Sequence, residues 1–485
     1  MKATMRRFAD LLLFSSLVLY VFFTGLALAQ PPRKAFTVEE IYGTERFADK
    51  SLRSVQWHPH SRQFTYLKRD SSTGYDDIWA YEAATGNRTL LVDASKLVNR
   101  QGDQAIEISH YLWSPDGSKI LFAEKLRARR TKTGGNFFLY DMPTRRFRKI
   151  TETGEHQVNV QFSPDGKLIG FVRSNDIFVM DLDSGTELQL TFDGADHVFN
   201  GHFDWVYEEE FKIILGWQWA PDGKRIAYWQ LDENRVPEFP IMNFEPLHQQ
   251  VTTMRYPKAG DPNSIVRIGI VSLDTKQTTW ADIGPDEDIY IPRIQWTRDP
   301  NVLSVQRLNR EQNKLDLLLV DAATGKSSVI LTEEQETWVD VRDHLRFLDQ
   351  DQLLWSSERD GFLHFYLYAM DGTLVRQITR GSWEVDKLLA LDEEHRLLYF
   401  TSTERSPLER HLYRISLDGT NFQRLTEEEG WHEAQFSPDL SWYVHTHSSN
   451  SAPPKMYLRA SDGGLIHSIQ DNQIRVLKEY RMSRM

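Results

Sequence analysis

Apolar and polar residues alternate along most of the chain in short runs bounded by Gly, Asp, Pro and Asn. A period of two predicts half-buried β-strands, and helical spacing is scarce. One turn recurs at the head of these runs. It reads "WSPDGSKILFA" from Trp113, "FSPDGKLIGFV" from Phe162 and "WAPDGKRIAYW" from Trp219, with a weaker copy, "FSPDLSWYVHT", from Phe436. Degenerate copies start at Trp57, Trp296, Phe347 and Leu391, which makes eight. The aromatic ends one strand and enters the core. Pro presets φ, Asp bonds its own backbone, and Gly takes a positive φ, so a tight turn sends the chain into the next strand.

A second pattern follows each copy. Examples are "IFVMDLDSGTELQLT" from Ile177 and "LLLVDAATGKSSVIL" from Leu317, each read as strand, Asp/Gly turn, strand, and there are eight of these as well. Two hairpin halves alternating eight times describe a four-stranded sheet repeated eight times. The predicted fold is therefore all-β, an eight-bladed β-propeller over residues 51–470 with a unit of roughly 45–55 residues. Seven blades follow if one degenerate copy is false. A β-sandwich would not repeat so regularly.

Function tends to sit where a repeat is interrupted. Residues 232–264 obey no blade pattern and read as an inserted arm of two extended segments. About twenty extra residues precede the fourth turn, and they contain "HFDWVYEEEFK" from His202. A short helix from Trp205 with Asp204 as N-cap is predicted there. The acidic run Glu208, Glu209, Glu210 is then either a solvated helix face or a site for a positive charge. A third departure is the basic hairpin "KLRARRTKTGG" from Lys125, read as a solvated loop or as a carrier of an Arg to a carboxylate.

Charge narrows the partners. The net charge is −12, which argues against nucleic acid. Residues 1–29 pair a basic start with the apolar run "LLLFSSLVLYVFFTGLAL" from Leu11 and a small-residue Ala27-Leu28-Ala29 site. They predict a signal peptide, with an uncleaved signal-anchor as the alternative. The body is expected to be exported, periplasmic or secreted. The chain contains no cysteine, so neither disulfides nor a lipidated cysteine contribute. His445 and His447 alternate onto one strand face, but without cysteine or a carboxylate cluster they make a poor metal site. No metal and no cofactor is expected.

At this point "DWVYEEEF" resembles the Asp-Trp-x-Tyr-Glu-Glu-Glu motif of the dipeptidyl peptidase IV family, serine peptidases of the prolyl oligopeptidase clan. "RYPKAGDPN" from Arg255, "SSERDGFLHFYLY" from Ser356 and "ITRGSWEV" from Ile378 resemble further family stretches. The resemblance implies a propeller that caps an α/β-hydrolase domain and removal of Xaa-Pro or Xaa-Ala dipeptides from peptide N-termini. It implies that Glu209 and Glu210 bind the substrate's α-ammonium. Asp204, Trp205, Tyr207 and Glu208 would support them. The substrate-carbonyl Arg falls on Arg130, with Arg129 the adjacent alternative. Residues 30–50 would pack on the hydrolase domain, and the arm at 232–264 would carry a homodimer contact.

The departure from the family is large. No Gly-x-Ser-x-Gly occurs in the chain, so there is no nucleophile elbow, and no catalytic residue is assigned. The α/β-hydrolase domain is read as absent, with residues 471–485 as a truncated link toward it. The expected function is a substrate-recognition propeller that is catalytically incompetent alone, served by a hydrolase domain in cis or in trans. The alternatives are a stand-alone propeller that binds peptide N-termini without cutting them and a TolB-like protein-interaction propeller. The last gives no reason for the Glu run or the arm.

Overall fold

The computed structural model describes residues 33–98, 104–108, 110–123, 135–151 and 157–482. The expected signal peptide and the hairpin carrying Arg129 and Arg130 lie outside the described residues. Alternating apolar residues form eight blade sheets, at 53–92, 111–149, 157–189, 198–280, 289–334, 346–377, 385–424 and 431–470, besides the two-stranded sheet of the arm. Each blade sheet is a four-stranded meander in chain order, apart from the fourth, which has five strands, all antiparallel. The fold is an eight-bladed β-propeller.

The core lies between blades. Leu121 and Phe137 of blade two pack with Val160 and Phe171 of blade three. Leu354 and Phe365 of blade six meet Phe400 and Tyr413 of blade seven. Trp57, Phe64 and Tyr81 of blade one share a cluster with Val444, Met456 and Leu458 of blade eight, which closes the ring. A blade has two apolar faces and no core of its own, so each needs its neighbours. Hydrogen bonds reinforce the seam at the residue before the repeat aromatic. Gln56 Nε2 donates to the Tyr111 carbonyl at 2.8 Å, Gln218 Nε2 to Ile294 at 3.0 Å and Gln435 Nε2 to Val55 at 3.2 Å.

The recurrent turn works as its chemistry predicts. Ser163 Oγ donates to Asp165 at 2.6 Å and accepts from the Leu168 N–H at 2.9 Å. Ser437 repeats both bonds with Asp439 and Trp442. Gly117, Gly166 and Gly223 take φ of 68°, 70° and 68°. The fourth copy lacks the glycine and holds Leu440 at φ 54°.

Both predicted insertions fall in blade four. Its first strand is broken into Val198–Asn200 and Trp217–Trp219, both paired with Arg225–Asp232. Residues 201–216 are thus inserted in mid-strand. The arm is a two-stranded ribbon, Glu238–Asn243 against Gln250–Arg255, starting from the pair Glu238 and Arg255.

The described residues divide into two compact units. The larger spans Leu52–His447 and Met456–Ile469; the smaller takes residues 33–51, 448–455 and 470–482. In the smaller unit the helical look of the segment after Phe36 is met by the helix Val38–Tyr42, capped by Thr37. The rings of Phe36 and Phe47 pack on Tyr480, whose hydroxyl donates to Glu40 at 2.9 Å.

Candidate functional site

The interruption of blade four begins and ends on glycine. Gly201 N–H donates to the Trp229 carbonyl, Trp229 N–H to the Gly216 carbonyl, and Gly216 N–H to the Gly201 carbonyl, at 2.9–3.1 Å. One residue of the second strand thereby bonds both ends of the excursion and pinches it closed. A Cβ on Gly216 would sit 2.5 Å from the Gly201 carbonyl carbon, and Gly201 has φ 80°. Both positions require glycine. Asn159 of blade three, at φ 58°, donates from Nδ2 to the Ile214 and Gly201 carbonyls at 2.9 and 3.3 Å. Trp217 Nε1 bonds the Asn159 carbonyl in return.

Inside the closed loop stands the predicted helix, Trp205–Glu209. Asp204 caps it by accepting the Tyr207 N–H at 3.0 Å, and its other oxygen accepts the Ser264 hydroxyl at 2.6 Å. Phe203, Val206, Tyr207 and Phe211 are buried in one cluster with Tyr290 and Ile291 of blade five. The Tyr207 hydroxyl accepts the Ile291 N–H at 3.0 Å. Burial pushes its phenol well above the usual range, despite that bond. With its apolar side anchored this way, the helix turns its acidic end outward. Glu208 is 6% exposed, Glu209 is half-buried, and Glu210, which caps the helix end, is exposed.

Two sequence motifs meet here. Trp205 packs on Tyr256 with ring centroids 4.5 Å apart, and Tyr256 packs on Phe239 of the arm. Arg255 donates to the Val236 carbonyl at 2.6 Å, and Asn263 Nδ2 to the Tyr290 hydroxyl at 2.7 Å. The stretch from Arg255 to Ser264 is therefore the footing of the Glu helix as well as the root of the arm. Sequence reading missed Asn159, Gly201, Gly216 and Ser264 as members of this site. The glycines flanking the Glu segment were the only visible signal.

The histidines of blades seven and eight gather away from this helix. Arg459 Nε donates to His445 Nδ1 at 3.0 Å, His445 Nε2 lies 2.8 Å from His432 Nδ1, and His432 Nε2 lies 2.7 Å from the Glu428 carbonyl. An arginine can only donate and a carbonyl only accept, so both rings between them are neutral. Burial, followed by neighbouring cations and imidazoles, lowers His432 to about 4 and His445 to about 2. Among the described residues no group of three or more His, Asp or Glu is arranged to hold a metal ion.

Comparison with known proteins bears on this geometry. The model of the dipeptidyl peptidase IV (DPP IV) N-terminal region matches residues 114–454. The chain belongs to this family. That DPP IV N-terminal region is the propeller itself. "Probable dipeptidyl peptidase 4" of Aspergillus flavus is 27% identical over 459 residues, covering 89% of this chain and 58% of that protein. Dipeptidyl-aminopeptidase B of Aspergillus niger is 28% identical over 476 residues, 86% of this chain and 52% of its own length. The crystal structure of Porphyromonas gingivalis dipeptidyl peptidase 4 superimposes with a TM-score of 0.83 at 30% identity, covering 93% of this chain and 64% of that one. The chain thus spans between half and two thirds of the proteins it matches here.

Proposed function

We propose that this chain is the substrate-recognition propeller of a dipeptidyl peptidase IV-like serine exopeptidase. Glu209 and Glu210 would receive the free α-ammonium of a peptide, and Arg130 would hold its backbone carbonyl. The observation that carries the reading is the break in blade four. A strand of the ring is opened, pinched by two glycines and anchored through Asp204 and Tyr207, with the acidic end of the helix left toward solvent. A solvated acidic face needs none of that anchoring. A primary ammonium offers three donors, which two carboxylates can accept together. Adjacent carboxylates repel when empty, so a cation gains more there than at a lone carboxylate.

Hydrolysis in this proposal belongs to an α/β-hydrolase domain acting in cis or in trans, since no Gly-x-Ser-x-Gly lies in these residues. The dipeptidyl peptidase names of the relatives support dipeptide release by the combined enzyme, and the family resemblance implies Xaa-Pro or Xaa-Ala as the dipeptide. The basic and apolar start of the sequence supports export, by cleaved signal or by anchor. Among the described residues no helix is long and apolar enough to cross a membrane. A homodimer through the arm is supported by its exposed apolar residues, among them Ile241, Phe244 and Val251.

The test is calorimetric binding of a short Xaa-Pro peptide with a free amine and of its N-acetylated form. The free amine should bind at least about tenfold tighter, as hydrogen bonds to charged groups are worth roughly 1.5–3 kcal/mol. Glu209→Ala combined with Glu210→Ala should erase the difference. Equal binding of free and acetylated peptides by the unaltered chain sinks the proposal.

A further inference from the structure

A cavity lies at the first strands of blades four to six. Gln56, Gln218 and Gln435 each stand just before a repeat aromatic and bond the backbone of the next blade. Blade six has Arg346 at the equivalent place, just before Phe347. Arg346 does not reach the next blade. Its Nη1 donates back to the Leu345 and Asp343 carbonyls, at 2.7 and 3.3 Å. Beside it is a cavity of 280 Å³ lined by Gln218, Arg293, Gln295, Arg342, Asp343 and Arg346, among others.

The charges in that cavity do not balance. Arg293 is held in a two-pronged pair with Asp343, at 2.5 and 3.2 Å. Arg342, 3% exposed, reaches Glu358 at 3.1 Å, and its Nε has no partner. Among the described residues Arg346 has no carboxylate within ion-pair distance, and its side-chain bonds to them all come from Nη1, leaving Nε and Nη2 without one. Three arginines therefore line the cavity against one carboxylate, Asp343, since Glu358 is not among its lining residues. Burial lowers the pKa of Arg346, with only Asp343 opposing, as expected of a cation short of a counter-charge. In a chain of net charge −12 such a surplus is local and specific. A guanidinium with free, coplanar donors matches the two oxygens of a carboxylate.

We propose that Arg346, in the cavity it shares with Arg293 and Arg342, forms a carboxylate-binding site at the first strands of blades four to six. The carboxylate has two sources, the C-terminus of a peptide or a free small acid. This site does not depend on the terminal-amine reading, because N-acetylated probes suffice to test it.

The experiment titrates the 485-residue chain at low salt with N-acetyl-trialanine, with its C-terminal amide, and with succinate. The free acid should bind roughly tenfold tighter than the amide. Arg346→Gln should abolish that preference with the circular dichroism unchanged. Tripeptide acid binding tighter than succinate assigns the site to peptide C-termini; succinate binding as tightly or tighter assigns it to free acids. Where Arg346→Gln does not fold, Gln295→Glu, which adds a carboxylate to the same cavity, should abolish the preference instead. Equal binding of acid and amide, no binding of either acid, or a preference that survives these substitutions overturns the proposal.

Discussion

Replacing His445 by Gln should flatten the loss of stability on the acid side of neutrality. Arg459 forces His445 to carry its proton on Nε2, directed at His432 Nδ1, and the Glu428 carbonyl fixes the proton of His432 on Nε2. A further proton on either ring would set N–H against N–H, or against the Arg459 guanidinium. In the native state His432 is held down to about 4, whereas in the unfolded chain it titrates near ~6.5. Between those values the unfolded state binds more protons, so stability is complete above the unfolded value and is lost as the pH falls. At about 1.4 kcal/mol per pKa unit, His432 alone removes roughly 3 kcal/mol by pH ~4. His445, lowered further still, adds to the loss over the same window. His445→Gln keeps an acceptor for Arg459 and a donor for His432 while deleting one titrating group. Urea unfolding from pH ~7 down to ~4.5 should show the variant losing roughly 3 kcal/mol less stability than the unaltered chain. His58 and His344, also lowered by burial, contribute equally to both proteins and cancel in the comparison. An identical pH dependence in the two would refute the neutral-pair argument.

Two further substitutions probe the site and the repeat. Asp204→Ala removes the helix cap and strands the buried Tyr207 N–H and Ser264 hydroxyl. It should cost about 2–4 kcal/mol in unfolding experiments and abolish discrimination of free from acetylated peptides although Glu209 and Glu210 are intact. Leu440→Gly should raise the midpoint of unfolding by the equivalent of about 0.5–1 kcal/mol, because Leu440 holds a left-handed φ that the three stronger turn copies give to glycine. A lowered midpoint would show that the Leu440 side chain contributes more than its backbone strain costs.

The blade count was legible because the Ser-Pro-Asp-Gly turn is a local device. Ser163, Asp165 and Gly166 make their bonds within six residues of one another, so the pattern survives in one dimension. The Asp204 cap was legible for the same reason, since it bonds three residues ahead. Asn159 was not. It donates to carbonyls 42 and 55 residues away and lies in a blade that otherwise follows the repeat. Ser264 bonds Asp204 across 60 residues. The arm and the Glu segment read as two separate insertions, yet Tyr256 and Trp205 join them into one assembly.

The sequence by itself determined the repeat, the strand period, the interruption of blade four and the acidic run within it, all properties of short-range backbone preference and alternation. Only the tertiary structure decided that the acidic segment splits a single strand, that Gly201 and Gly216 close on each other, and that an arginine replaces a seam glutamine beside a cavity. Those relations depend on which blades pack together. Packing joins residues distant along the chain through shape and hydrogen-bond partners, and neither is written in the order of neighbouring residues.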